Sequence, residues 1–335
     1  MSADDKRYFY DMVVTVGEKL KHCQEGSLIR EYFPDTRLKE IENKIARSDA
    51  KDLEWGYWQP FFLFLKNATE AEINAFDNDL QMVSHQTPQG KSQVCKFLKD
   101  ESENDSKWMG GLFEVIAKSA LLKCDLLSVG ALDWKLSNGK VIDAKITIGQ
   151  RTVGVEMTTL GESNCSKQRC RDHCEAIKED SGESFYDRQD AHTQGRRLFD
   201  KVYEKIAKGF KPTKSQLLPE APNLLLIGFS PLISDLTPTS PSIGWALDEL
   251  FARQPSQNTS LNSLEAYLRH NRRVQAGDVA ELLSAPSQIS GVLLFHQCRL
   301  KVARINYNAR EAYRLTHEEM TCFEKALACP PGYWC

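Results

Sequence analysis

At 335 residues, with a formal charge of −3 and 41% apolar residues, the chain has the make-up of an ordinary globular protein of one large domain or two modest ones. The slight negative balance excludes a global field that would gather polyanions, so any nucleic-acid contact must come from a local basic surface. No apolar run reaches the length of a membrane span and the opening MSADDKRYFYDM lacks a signal-peptide core, which points to a cytoplasmic protein with no membrane partner.

The ten cysteines are then expected to be mostly reduced and structural, and no internal repeat is visible. The first hundred residues read as helical. Phe9, Met12, Val13, Val16 and Leu20 repeat with helical spacing over 8–22, and Pro34 marks a turn with Asp35 or Thr36 available to cap a charged helix over 37–47. The aromatic run that begins at Trp55 offers either a surface for stacked bases or, more simply, core packing between helices. From 84 to 107 the composition turns polar around a helix-compatible 92–99, and the domain boundary is expected there, giving a helical domain over 1–106, a second domain over 107–310 and a C-terminal helix and tail over 311–335.

The second domain opens with an apolar helical face of Leu112, Phe113, Ile116, Ala120 and Leu121, beside which stands one acid, Glu114. A strand over 124–133 is followed by a turn at Ser137-Asn138-Gly139 and two β-rich segments, 140–148 and 151–159, joined at Gly149-Gln150. Each holds one acid among β-branched residues, Asp143 and Glu156, although acids are depleted in strands. Paired as a hairpin, the segments bring the carboxylates together, and mutual repulsion then calls for a cation such as Mg²⁺ or Mn²⁺. A solvent-facing pair on an antiparallel sheet is the plainer alternative.

A helix with Glu114, a strand with Asp143 in Val-Ile-Asp-Ala and, about a dozen residues on, a strand with Glu156 in Val-Glu-Met-Thr resembles the restriction-endonuclease-like PD-(D/E)XK nuclease superfamily. The resemblance implies an α/β fold with a three-layer core around a mixed central sheet, to which this chain adds a mainly α-helical N-terminal domain. It also implies a Mg²⁺ or Mn²⁺ site at Asp143 and Glu156 with Glu114 assisting. The departure is Thr158, which stands where the superfamily carries a lysine and cannot supply positive charge to a phosphorane-like transition state.

Beyond the hairpin, 162–193 is a polar stretch with Cys165, Cys170, His173 and Cys174, residue types that bind zinc, although their spacing lacks the paired short-spaced clusters of common zinc modules. Cys322, Cys329 and Cys335 form a second group at the C-terminus. The helix expected over 194–211 buries Leu198, Val202, Ile206 and Phe210, with Arg197, Lys201 and Lys208 on the opposite side and Lys205 nearer the border. Some members of the superfamily replace the motif lysine from this helix, so Lys205 is the first candidate and Lys201 the second. Arg197 and Lys208 are candidates for contact with a phosphate backbone, and a plain solvated face is the alternative for all four.

The continuous apolar run over 223–230 reads as a strand buried on both faces, and 291–296 as a last central strand. Helices are expected over 242–253 behind a Ser242 cap, 261–271, 276–283 and 309–327. No glycine-rich phosphate loop, GxSxG elbow or HExxH is present, while His192 and His296 stand near enough to predicted strand and helix ends to be considered and are more often structural. The leading expectation is therefore a metal-dependent nuclease acting on DNA rather than RNA, with a homodimer left open. The alternatives are an inactive module of the same fold that binds nucleic acid or a partner protein, and a structural component of a larger assembly.

Overall fold

A computed structural model describes residues 3–47, 64–95, 98, 105–160, 190–211, 214–229, 237–252, 264–296 and 298–328. The start of the aromatic run at Trp55, the group Cys165, Cys170, His173 and Cys174, and the tail cysteines Cys329 and Cys335 lie outside these residues. The chain is a mixed α/β protein that divides into two units, Met1–Asp125 with Ala326–Cys335, and Leu126–Lys325.

In the first unit every described element is a helix: α1 (Ala3–Lys21), α2 (Leu28–Tyr32), α3 (Asp35–Arg47), α4 (Glu70–Gln86), α5 (Lys91–Val94) and α6 (Asp105–Leu122). The expected stripe Met12, Val13, Val16 and Leu20 is the buried face of α1. Thr69 and Glu72 start α4 with a reciprocal capping box, and α4 packs on α6. Asp77 of α4, fully buried, accepts hydrogen bonds from Ser27 Oγ at 3.0 Å and Ile29 N at 2.8 Å, which fixes the turn between α1 and α2.

The second unit is built on a six-stranded sheet in the order β1 to β6. Its strands are β1 (Ser128–Lys135), β2 (Val141–Ile148), β3 (Arg151–Leu160), β4 (Asn223–Phe229), β5 (Gly291–His296) and β6 (Arg299–Ile305). β1, β2 and β3 form an antiparallel meander, β3, β4 and β5 run parallel, and β6 returns antiparallel. Gly139 (φ 77°) and Gly149 (φ 57°) supply the left-handed backbone at the two hairpin turns. The parallel steps need crossovers, made by α7 (Asp190–Ile206) between β3 and β4 and by α8 (Pro241–Leu250), α9 (Leu264–His270) and α10 (Val279–Ser284) between β4 and β5. Such crossovers are right-handed, so strands laid side by side in chain order place both on one face. There Leu198, Val202 and Ile206 of α7 share a core with Leu225 and Ile227 of β4 and Leu294 of β5. Every residue of β4 is buried, as its continuous apolar run requires.

The strand at 291–296 is the last central one, as expected, and an unforeseen edge strand, β6, follows it; its charged alternation, RLKVARI, suits a sheet edge and hides it from a search for apolar runs. Two expectations are corrected. A helix does not fill 309–327: a short 3₁₀ turn at Glu311–Tyr313 precedes α11 (His317–Ala328), whose start is set where the Thr316 N–H donates to Glu319 Oε2 and the Glu319 N–H donates to Thr316 Oγ1. Ser240, not Ser242, is the N-cap of α8, which leaves Pro241 in the first turn where its missing N–H costs nothing.

Gly154 of β3 lies where a Cβ would stand 2.5 Å from Asn223 Oδ1, 2.6 Å from Ile142 Cδ1 and 3.0 Å from Leu218 Cγ. Asn223 cannot yield, because it is fully buried and its Oδ1 accepts the Leu218 N–H at 2.8 Å. Gly154→Ala is therefore expected to lower stability by about 1–3 kcal/mol, read as a reduced midpoint in urea unfolding with an unchanged slope.

Candidate functional site

The β1–β2 ladder pairs Leu132 with Ala144 and Trp134 with Ile142, which puts Asp133 opposite Asp143. A carboxylate oxygen of Asp133 lies within 4.8 Å of one from Asp143. The β2–β3 ladder ends at Ala144↔Val155, one residue short of pairing Asp143 with Glu156. Side chains take over at that point: the Asp143 N–H donates to Glu156 Oε1 at 3.3 Å, and the Met157 N–H donates to Asp143 Oδ2 at 2.6 Å. Each acid thus satisfies a backbone donor that the separating strands would leave bare. Three neighbouring strands deliver one carboxylate each to the same level of the sheet.

Glu156 is in register with Leu225, a member of the core under α7, so its carboxylate points into that core rather than to solvent. Lys205, at the end of α7, meets it there with Nζ 2.7 Å from Glu156 Oε2 and 3.7 Å from Asp143 Oδ2. The three side chains are 13%, 0% and 17% exposed for Lys205, Glu156 and Asp143, which removes most of the screening that makes surface ion pairs weak. The helix end is pinned in place. Tyr203 Oη donates to the Leu282 carbonyl at 2.8 Å, the Gln216 N–H donates to the Lys205 carbonyl at 2.8 Å, and Asn138 of the β1–β2 turn donates to the Ser215 carbonyl at 2.8 Å. The loop after α7 therefore ties the lysine's backbone to the hairpin that carries the acids.

Burial pushes the Glu156 carboxyl well above the usual carboxylate range, and the neighbouring Asp143 charge pushes it the same way, while Lys205 opposes both. One ammonium shared by Asp143 and Glu156 leaves this pair one negative charge in excess when both are ionised. All-oxygen donors of this kind suit Mg²⁺ or Mn²⁺, and the excess charge is what such an ion would neutralise.

The remaining candidates are placed as follows. Glu114 is carried by α6 in the first unit, where it pairs with the buried Lys118 one helical turn away. Lys201 pairs with Glu204 at 3.1 Å. Arg197 is half-buried one turn before Lys201, and Lys208 is exposed in the turn that follows α7. Thr158, in register with Ile227, is half-buried two residues beyond Glu156. His296 ends β5, four residues and two strands away from Glu156 by register, or roughly 16 Å from strand spacings. The His192 side chain lies outside the described ones.

Sequence reasoning missed Asp133. Its signal was the same as that of Asp143, an acid within a β-rich segment, but it sat at the end of the expected strand, where an acid needs no reason. The strand in fact runs on to Lys135, with Asp133 in the left-handed region at φ 49°. Aspartate is one of the few residues that tolerate that conformation.

A carboxyl whose folded pKa exceeds its unfolded value binds more protons in the native state, so its contribution to stability is full below the unfolded value and is lost as pH rises through the folded one. In chelator, stability is therefore expected to fall as pH rises above the usual carboxylate range, by about 1.4 kcal/mol per unit of displacement. Glu156→Gln, which keeps the shape and an acceptor for the Asp143 N–H, should flatten that slope in thermal melts. An equal slope in both proteins would show that Glu156 titrates normally. No family model, no curated protein and no solved structure matches the chain.

Proposed function

We propose that the chain is a metal-dependent nuclease of restriction-endonuclease-like fold, which hydrolyses phosphodiester bonds and prefers DNA to RNA. The observation that carries this reading is a chain of contacts across three adjacent strands: Asp133 lies within 4.8 Å of Asp143, the Asp143 N–H donates to Glu156, and Lys205 from the helix that follows pairs with both Asp143 and Glu156. Asp133 and Asp143 would hold a Mg²⁺ or Mn²⁺ ion, with Glu156 as the third carboxylate. Such an ion supplies positive charge beside the scissile phosphate and makes an attacking water more acidic.

The chain's own residues do the rest. Hydrogen bonds from the Asp143 and Met157 N–H groups hold the two carboxylates before any substrate arrives. Lys205 takes the part that Thr158 cannot, presenting an ammonium to the charge that develops on the phosphoryl oxygens. Arg197 and Lys201 lie on the same row of α7 at four-residue intervals before Lys205, and with Lys208 they would position the backbone of a nucleic acid without reading its sequence.

The second reading, an inactive module of this fold that binds nucleic acid or a partner protein, is favoured by one observation. The Lys205 ammonium is already engaged by Glu156, and the strand position that normally holds the lysine is Thr158. The two readings separate in one set of assays. Purified protein is expected to cut linear or single-stranded DNA in Mg²⁺ or Mn²⁺, and Asp143→Asn and Lys205→Ala are expected to lower the rate by about 10²-fold or more. Calorimetry should show Mn²⁺ binding lost in Asp143→Asn and kept in Lys205→Ala. Full cleavage by Asp143→Asn, or neither cleavage nor Mn²⁺ binding by the wild type, sinks the nuclease.

A further inference from the structure

Alternation along β1 should bury Trp134 with Leu132 and Leu136, and it does not. Leu132 is fully buried and Leu136 nearly so, whereas Trp134 is 47% exposed. The left-handed backbone at Asp133, immediately before it, breaks the alternation and turns the indole out. A large apolar ring held at the surface by an uncommon backbone conformation is poorly explained by packing.

Lys145 of β2 places Nζ 5.4 Å from the indole centroid. Lys135 follows Trp134 on β1 and is exposed, and Lys140 is half-buried just before β2. Lys145 is two residues along β2 from Asp143, and Trp134 is one residue along β1 from Asp133, so ring and ammonium adjoin the acids. Among the described residues β1 ends the sheet, and no further strand pairs with its outer edge. An indole beside the Lys145 ammonium matches the two features of one chemical partner, a flat base and its phosphate.

We propose that Trp134 and Lys145 form a stacking platform for an unpaired nucleotide beside the acid cluster, and that the substrate is single-stranded or locally unpaired DNA. The inference deepens the nuclease reading and rests on it for the nature of the polymer. Bases inside a duplex have both faces covered by their neighbours, so an indole can take up a base only where the strand is unpaired. Lys145 then meets the adjoining phosphate as a point charge and carries no sequence information.

The test is fluorescence anisotropy with labelled oligothymidine of roughly 12 nucleotides, a blunt duplex of the same length and oligouridine, in Ca²⁺ and again in chelator. Wild type should bind oligothymidine more tightly than the duplex. Trp134→Ala should weaken that binding at least about fivefold, the scale of one lost stacked base, while Trp134→Phe should keep most of it. Lys145→Ala should reduce the salt dependence of binding by about one phosphate contact. Unchanged binding by Trp134→Ala, a preference for the duplex or for oligouridine, or no binding to any probe overturns the proposal. Mn²⁺ calorimetry on the same proteins separates the two ideas. Trp134-dependent strand binding without Mn²⁺ uptake would remove the nuclease and leave the platform, and Mn²⁺-dependent cutting indifferent to Trp134→Ala would do the reverse.

Discussion

The ion pair between Lys205 and Glu156 is the contact on which the second unit's acid cluster depends. A carboxylate with no solvent exposure, beside a second acid, is tolerable only if a cation or a proton accompanies it. The sheet brings the acid and α7 brings the cation. The fold thus spends stability on an arrangement that packing alone would replace with apolar side chains.

The acids sit at this level because the sheet changes character there. β3 is shared by an antiparallel meander and a parallel core, and where β2 leaves it, one residue past Ala144↔Val155, the backbone donors of Asp143 and Met157 would go unmatched. Carboxylates fill that gap and become fixed in return. The one-faced crossovers then deliver the end of α7 to the same place, so the site follows from the fork in the sheet as much as from the residues in it.

Lys205, on the helix that follows β3, occupies the neighbourhood of Glu156 and Asp143. Its position near the border of the helix's apolar stripe was visible as periodicity. Lys201 has the same chemistry and lies one turn earlier, and only the packing of α7 on the sheet distinguishes them, since Lys201 turns to Glu204.

The sequence by itself determined what local periodicity and turn chemistry encode: α1 from its apolar spacing, the two hairpin turns from their glycines, and β4 from its unbroken apolar run, while it offered the approach of Asp143 and Glu156 as one of two outcomes. It did not determine β6, whose charged alternation looks like any exposed segment until a sheet edge is present to receive it. Nor did it identify Asp133 or Trp134. Whether an acid on a strand faces a second acid depends on register, and whether a tryptophan is buried depends on the backbone turning before it. The first is settled by long-range pairing between strands, which no window of neighbouring residues contains, and the second by a left-handed turn at Asp133 that apolar alternation does not encode.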